Sequence, residues 1–218
     1  MSSTNHKNDS DITNDNDNDI TNDNAVNENG RQICQFYSKM GACRHGDICI
    51  RIHLKPKQSK VICFNKLYDN PKYIKGLKKN NLEQIKEEKY DEDKIQNEIN
   101  TIYKDLFVEL SLSYGYIKKL IICENVNNHL SGNVYVMFKN ESDAFKCFKS
   151  CNDRWFNNKP IFCELSMCQD FNDANCRSYN SPEGCSRGGL CNFHHIRSPD
   201  HKLIEELNKS QNLYYDNM

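Results

Sequence analysis

The spacing of cysteines and histidines constrains the fold of this chain more than any other feature of its sequence. Three cysteines and one histidine follow the pattern C-x8-C-x5-C-x3-H, and the same pattern recurs 142 positions later. The two sets are Cys34, Cys43, Cys49 and His53, and Cys176, Cys185, Cys191 and His195. Chance is a poor explanation for two identical matches in one chain. Three thiolates and one imidazole suit a closed tetrahedral site, so the pattern predicts two structural Zn²⁺ ions.

The remaining cysteines are predicted to be small buried side chains. The N-terminus lacks the apolar core of a signal peptide, and no apolar run approaches a membrane span, so we expect a reducing compartment and no membrane partner. Cysteines there are more often metal ligands or core residues than disulfides. The core candidates are Cys63, Cys123, Cys147, Cys151, Cys163 and Cys168. His194 also lies near Cys191, but His195 is preferred as the ligand because it repeats the first spacing.

Charge is distributed unevenly along the chain. Residues 1–30 carry one lysine and seven acidic residues among many Asn, Ser and Thr residues. Such a segment cannot bury enough apolar surface to fold, so we expect a disordered tail. Residues 31–60 carry seven basic residues and one acidic residue. This local positive charge favours a phosphate-bearing partner over a merely solvated loop.

Apolar periodicity in the middle of the chain predicts an α+β fold. Apolar residues recur every three or four positions from Ile95 to Leu110, which indicates a helix that ends at Tyr114–Gly115, and a second helix is expected over 141–151. Short apolar or alternating runs predict strands at 60–68, 116–124, 133–139 and 160–166. The order strand, helix, strand, strand, helix, strand is the split βαβ plan, with four antiparallel strands backed by two helices.

The sequence lacks the common enzyme motifs. It has no C-x-x-C pair, no G-x-x-x-x-G-K and no G-x-G-x-x-G, and its one G-x-S-x-G match, over residues 184–188, lies inside the second cysteine–histidine set. The zinc deaminase signature is also missing, because no Glu follows a candidate His by two positions with a P-C-x-x-C downstream. We therefore predict neither an enzyme nor a small-molecule substrate.

Aromatic and basic residues lie between and beside the predicted zinc ligands. Flat side chains next to positive charge suit single-stranded RNA, whose bases stack while its phosphates meet Arg and Lys. The candidates are Phe36, Tyr37, Arg44, His45, Ile50 and Arg51 in the first set, and Arg177, Tyr179, Arg187 and Phe193 in the second. An alternative remains open for each aromatic residue, which could instead cover the zinc core.

Four segments together resemble one known family. They are FYSKMGACRHGD, HLSGNVYVMFK, NDRWFNNKPIFCELS and CSRGGLCNFHH. The chain resembles the small subunit of the U2 auxiliary factor, a nuclear pre-mRNA splicing factor with an RRM-like domain between two CCCH zinc fingers. The resemblance implies a disordered tail over 1–30, finger one over 31–57, an RRM-like U2AF homology motif over 58–167, finger two over 168–198 and a C-terminal helix or tail over 199–218. It further implies that both fingers read the AG dinucleotide at the 3′ splice site of single-stranded pre-mRNA.

The resemblance also implies a protein partner for the central domain. In the family, an Arg-x-Phe loop and an acidic helix form a pocket for a tryptophan of the large subunit. The loop corresponds here to Arg154, Trp155 and Phe156, and the acidic residues to Asp105 and Glu109. Trp155 is expected to insert into the partner, although a core position is the alternative. The strand SGNVYVMF has Asn133 where an RNA-binding RRM has an aromatic residue, so this sheet is predicted to be a poor RNA reader.

Two other functions remain possible for such fingers. An mRNA-decay factor of the tristetraprolin type also uses C-x8-C-x5-C-x3-H fingers, but there they lie close together in sequence. A protein-interaction scaffold with purely structural zinc is the second alternative. Ile50 occupies a position that is often small and polar in the family, so the base preference beside AG is expected to differ.

Overall fold

The computed structural model describes residue 26, residues 30–73 and residues 90–217. Most of the expected disordered tail over 1–30 therefore lies outside the described residues. The helices are α1 (Gln35–Met40), α2 (Glu92–Ser113), α3 (Glu141–Cys151), α4 (Phe171–Ala174) and α5 (His201–Asp216). The strands are β1 (Val61–Phe64), β2 (Ile117–Cys123), β3 (Val134–Phe138), β4 (Trp155–Phe156), β5 (Lys159–Pro160), β6 (Cys163–Leu165) and β7 (Ile196–Arg197). None of the described helices combines the length and apolar character needed to cross a membrane.

A central antiparallel sheet confirms the predicted α+β class. Its strand order is β6-β1-β3-β2-β7, and the chain order β1, α2, β2, β3, α3, β6 is the split βαβ plan. The sheet has a fifth strand that the sequence did not indicate. This strand, β7, follows the second zinc-ligand set and pairs with the end of β2, with Ile122 opposite Arg197 and Cys123 opposite Ile196. The second ligand set is thereby joined to the central sheet through backbone pairing.

Helices α2 and α3 cover one face of the sheet. Asp91 starts α2, because its carboxylate accepts a hydrogen bond from the backbone N–H of Lys94 at 3.0 Å. Ile99 of α2 and Val136 and Phe138 of β3 have no exposed surface and belong to one apolar core. Full burial of a side chain of this size contributes about 1.5–3 kcal/mol. The predicted alternation of β3 is confirmed, since Tyr135 belongs to a separate cluster on the other face.

The C-terminal helix α5 packs against α2 and the start of β2. The buried side chain of Gln211 accepts hydrogen bonds from the backbone N–H of Ile117 and the hydroxyl of Ser111, each at 2.8 Å. Its amide also donates to the carbonyl of Ile117 at 3.0 Å. Leu207 adds an apolar contact to the same core. These bonds hold α5 against the end of α2 and the start of β2.

The second face of the sheet is covered by the two zinc-ligand segments. Met40 at the end of α1 and Phe171 of α4 join Tyr135 in one buried cluster. Gly41 allows this close packing, because a Cβ at its position would lie 2.7 Å from the Tyr135 ring and 2.6 Å from the hydroxyl of Ser166. Its φ of 69° also favours glycine. The sheet therefore serves as a platform on which both zinc-ligand segments are seated.

Candidate metal centres and nucleic-acid interface

The first ligand segment, residues 34–53 and here called finger 1, is a short helix followed by tight turns. Cys34 precedes α1, and its backbone N–H donates to the carbonyl of Ile52 at 2.9 Å. The N–H of Gly46 donates to the carbonyl of Cys43 at 3.0 Å and begins a 3₁₀ turn over Gly46–Ile48. With so few apolar residues of its own, a loop of this kind depends on metal for much of its stability.

The second ligand segment, residues 176–195 and here called finger 2, repeats these bonds, although turns replace the helix α1 after its first cysteine. The N–H of Cys176 donates to the carbonyl of His194 at 2.9 Å, and the N–H of Gly188 donates to the carbonyl of Cys185 at 3.0 Å. A second 3₁₀ turn runs over Gly188–Leu190. Equal spacing in the sequence has therefore produced matching turns around the second and third cysteines of the two fingers.

Each finger brings its four predicted ligand atoms together. In both groups the three Sγ atoms and one imidazole nitrogen all lie within 4.8 Å of one another. The Nε2 atoms of His53 and His195 are buried and have no hydrogen-bond partner, as expected for nitrogens reserved for a metal. Burial lowers the pKa of His195 to about 4, so the ring is neutral and able to ligate at neutral pH. Three cysteines and one histidine fit Zn²⁺, and the two predicted zinc sites are confirmed.

Two of the candidate RNA-binding aromatics cover the zinc-binding histidines instead of facing solvent. The ring of Tyr37 stacks on His53 at a centroid distance of 4.3 Å and an angle of 5°. The ring of Tyr179 stacks on His195 at 4.0 Å and 11°. Tyr37 is buried, with 8% of its surface exposed, and Tyr179 is half-buried. Their positions favour the alternative that these two tyrosines cover the zinc core.

The two fingers contact each other through His194, the neighbour of the ligand that the repeated spacing correctly identified as His195. Its Nε2 hydrogen bonds to the carbonyl oxygen of Met40 at 2.8 Å. The same ring stacks on Tyr135 at 4.7 Å, and both side chains are fully buried. Asn133, the residue that replaces an aromatic on β3, is also buried. The sheet face that binds RNA in an ordinary RRM is therefore covered by the fingers.

Finger 1 presents most of its other candidate residues to solvent. Arg44, His45 and Arg51 are exposed, Phe36 is 42% exposed and Ile50 is 89% exposed. Arg51 also lines an open cavity of about 400 Å³ between finger 1 and the central domain. The surface combines cationic groups with apolar ones that water solvates poorly.

Finger 2 carries an open cavity of about 460 Å³ beside its zinc site. Exposed Arg177 and Arg187 and half-buried Phe193 line it, together with Ser178 and Ser186. Two guanidinium groups around an aromatic ring and hydroxyls supply phosphate contacts, a stacking face and hydrogen bonds. Asp173 and the ligand cysteines Cys176, Cys185 and Cys191 also line the cavity, so it opens onto the zinc site itself.

Exposed aliphatic side chains on both fingers were missed by the sequence reasoning. Ile48 is 86% exposed and Leu190 is 75% exposed, and each immediately precedes the third cysteine of its finger. Aligning the two repeats would have revealed them, because an apolar residue occupies the same place in both. Side chains of this size are normally buried, so this matched exposure adds apolar contact surface to each finger.

The candidate partner residues lie at the other end of the central domain. The Arg154 guanidinium forms an ion pair with Glu109 of α2, which brings the loop and the acidic helix together. Asp105 is exposed one helical turn earlier, and Phe156 packs partly against the helix-side core. Trp155 is 69% exposed at the start of a hairpin formed by β4 and β5, which excludes the alternative of a core position.

Comparisons with known proteins agree with this geometry. Residues 29–55 match the family model described as "Zinc finger C-x8-C-x5-C-x3-H type (and similar)". The chain is 38% identical over 187 residues to the splicing factor U2AF 23 kDa subunit of Schizosaccharomyces pombe, covering 86% of this chain and 81% of that protein. It is 37% identical over 180 residues to the human splicing factor U2AF 26 kDa subunit, covering 83% and 79%. The Drosophila melanogaster 38 kDa subunit is 40% identical over 176 residues, covering 81% and 65%. The chain belongs to the family of splicing factor U2AF small subunits.

Proposed function

We propose that this protein acts in the nucleus as the RNA-reading small subunit of a splicing factor heterodimer. Its two fingers bind single-stranded pre-mRNA at the 3′ splice site and read the AG dinucleotide there. Its central domain binds a tryptophan-containing segment of a larger subunit, which holds the fingers at the intron end. Zinc has a structural role and no bond is made or broken.

The observation that carries the RNA proposal is that the two fingers cover one face of the central sheet. With Tyr135 fully buried under His194, stacking surfaces for bases are left on the fingers themselves. Phe36 and Phe193 offer such surfaces, and each base stacked on an aromatic ring is worth about 1–3 kcal/mol. The hydrogen bond between His194 and Met40 fixes one finger relative to the other, so a single short RNA can meet both.

The partner proposal rests on an exposed aromatic beside a charged pair. The side chain of Trp155 is 69% exposed, which is unfavourable for so large an apolar group in water. Tryptophan is also one of the residues that most often anchor a protein interface. Asn157 and Asn158 hold φ values of 48° and 60°, the conformation of a tight two-residue hairpin turn. This turn presents Trp155 away from the domain, while Glu109 and Asp105 provide negative charge for basic residues around the partner's tryptophan.

Binding of short single-stranded RNAs to the full zinc-loaded chain, with the large subunit's tryptophan-containing segment present, tests the RNA proposal. We expect an RNA that ends in AG to bind at least tenfold more tightly than one that ends in AC. Arg44→Ala combined with Phe193→Ala should abolish this preference. Lys202→Ala on α5, whose side chain is 87% exposed, is the matched control. Preference for AU-rich repeats would indicate a decay factor, and unchanged affinity in the double variant would indicate a scaffold.

A further inference from the structure

One buried carboxylate, that of Glu124, has no part in the RNA or partner sites described above. Glu124 follows β2, and only 5% of its surface is exposed. Its backbone N–H donates to the carbonyl of the zinc ligand His195 at 2.8 Å. Its side chain accepts a hydrogen bond from the hydroxyl of Tyr179. A single residue of the central domain thus contacts finger 2 through both its backbone and its side chain.

Tyr179 extends this contact to the zinc ligand. The centroid of its ring lies 4.0 Å from that of the His195 ring, and the two rings are nearly parallel. The orientation of the tyrosine ring therefore fixes the orientation of the imidazole ring. Burial and the neighbouring Glu124 carboxylate raise the pKa of Tyr179, which keeps its hydroxyl a donor. Groups behind a metal ligand commonly fix the orientation of that ligand.

Two cations neutralise the buried carboxylate. Lys72 and Arg197 lie 3.7 and 3.6 Å from Glu124. Both also pair with the more exposed Glu92 of α2, at 2.9 and 2.8 Å. Because a buried charge needs such compensation, the arrangement holds an acceptor in place for Tyr179. Glu92 shares the cations and lies at the start of α2, which makes it a suitable control.

Finger 1 contains a corresponding set of residues. Tyr37 stacks on His53 as Tyr179 stacks on His195. Glu164 lines the same cavity as Tyr37 and His53, and burial together with the charge of Glu164 raises the pKa of Tyr37. Glu164 belongs to β6, at the opposite edge of the sheet from β7, and pairs with Lys55 at 3.0 Å. A carboxylate of the central domain therefore lies near the stacked tyrosine and histidine in both fingers.

We infer that Glu124 and Glu164 are positioning residues of the central domain, each setting the zinc-binding histidine of one finger through a stacked tyrosine. Glu124 acts on His195 through Tyr179, and Glu164 acts on His53 through Tyr37. This inference rests on the proposed function, because the purpose of fixing the fingers is to hold their RNA-binding side chains in register.

The test compares Glu124→Gln and Glu164→Gln in the full zinc-loaded chain. Long-range nitrogen-15 NMR resolves the imidazole of each zinc-bound histidine. We expect Glu124→Gln to shift the ring resonances of His195 and leave those of His53 in place, and Glu164→Gln to do the reverse. A role in general stability would move both rings or neither. Either of those results would overturn the inference.

RNA affinity gives the second readout. We expect Glu124→Gln and Tyr179→Phe each to weaken binding about tenfold or more, as substitutions behind metal ligands do. The double variant should be no weaker than Tyr179→Phe alone, because Glu124→Gln removes the charge of the acceptor in the same hydrogen bond that Tyr179→Phe abolishes. Glu92→Gln should leave RNA affinity unchanged. Additive losses, or an equal loss in Glu92→Gln, would exclude the proposed route.

The two experiments distinguish a failure of the proposed RNA-binding function from a failure of the positioning role. If the wild-type chain binds no AG-containing RNA, the proposed function fails, and the imidazole resonances alone decide the positioning role. If Glu124→Gln does not fold, Tyr179→Phe replaces it, since that variant keeps the stacked ring and loses only the hydroxyl. Unchanged His195 resonances in Tyr179→Phe would then contradict the inference.

Discussion

The imidazole of His194 hydrogen bonds to the backbone carbonyl oxygen of Met40 at 2.8 Å, across 154 positions of sequence. Both residues are buried, and His194 lies between finger 1 and the ring of Tyr135. The contact turns two small zinc-dependent loops into one unit. A rigid unit of this kind is what a reader of a two-base signal requires, because its two binding surfaces must keep a fixed separation.

Replacing the bridging histidine should destabilise the protein. His194→Phe keeps a ring against Tyr135 but leaves the buried carbonyl of Met40 without a donor, which costs about 1–3 kcal/mol. The free energy of unfolding from urea titration, in the presence of zinc, measures this loss. His201→Phe is the control, since the His201 side chain is 86% exposed and its replacement should change stability by less than about 0.5 kcal/mol. Equal stability of the two variants would contradict the prediction.

A single methyl group at Gly41 should weaken the packing of finger 1 on the sheet and destabilise the protein. In Gly41→Ala the new Cβ meets the Tyr135 ring at 2.7 Å, and overpacking of this kind typically costs about 1–3 kcal/mol. The left-handed backbone adds about 1 kcal/mol. Gly184→Ala isolates the backbone part, because Gly184 has a φ of 68° and no atom within 4 Å of its Cβ position. Thermal unfolding should therefore show a clearly larger loss for Gly41→Ala than for Gly184→Ala.

The sequence predicted the zinc ligands and the split βαβ plan because both are encoded by spacing. Ligand spacing repeats without change, and the long helix α2 carries a regular apolar stripe with Asp91 at its start. The seating of the fingers on the sheet could not be predicted in this way. Strand β7 is two residues long, too short for any periodic signal. Tyr135 alternates like an outward-facing residue, and the packing of side chains such as Phe171 and His194 on its ring makes it buried.

The candidate RNA residues divide for a similar physical reason. Arg44 and Tyr37 both lie close to zinc ligands in sequence, so composition alone gives them equal status. A guanidinium is well solvated at the surface and needs no protein partner. A tyrosine ring gains by leaving water and stacking on another planar group, here His53. The alternative of a zinc-core cover therefore applies to the tyrosines and leaves the arginines available.

Trp155→Ala should weaken partner binding without changing the fold. The side chain is 69% exposed, so stability should change by less than about 0.5 kcal/mol. Loss of a buried interface anchor typically costs 2 kcal/mol or more, and calorimetry with a tryptophan-containing peptide of the large subunit measures it. Leu213→Ala on α5 is the control, since Leu213 is 56% exposed and lies on the C-terminal helix. Equal affinities of wild type and Trp155→Ala would show that the hairpin is not the anchor.

Removal of zinc should unfold the fingers and leave the helix-backed side of the domain intact. Without metal the short ligand loops lose their main source of stability. Tyr135 and Phe171 then become accessible, so a dye that binds apolar surface should fluoresce in the chelated protein. Far-ultraviolet circular dichroism should keep the signal of α2 and α5, while RNA binding is lost. RNA binding that survives complete chelation would contradict the zinc-dependent mechanism.

Acidification should destabilise the folded protein through its buried histidines. Burial lowers the pKa of His129, His194 and His195 from 6.5 to about 4. The unfolded chain therefore binds protons between about pH 6.5 and 4 that the folded chain does not, so stability falls as pH drops through this window. The fully buried His194 alone contributes at most about 1.4 kcal/mol per pH unit.

Urea titrations at several pH values between 7.5 and 5.5, at fixed excess zinc, measure this slope. Zinc at His195 acts in the same direction, because a bound imidazole nitrogen cannot accept a proton. Within the described part of the chain, His129 belongs to neither metal-binding group, and its Nε2 is buried without a hydrogen-bond partner there. His129→Gln removes one titrating group and should flatten the dependence of stability on pH. If the dependence of stability on pH were as steep in His129→Gln as in the wild type, protonation of His129 would not change on folding, and the prediction would be wrong.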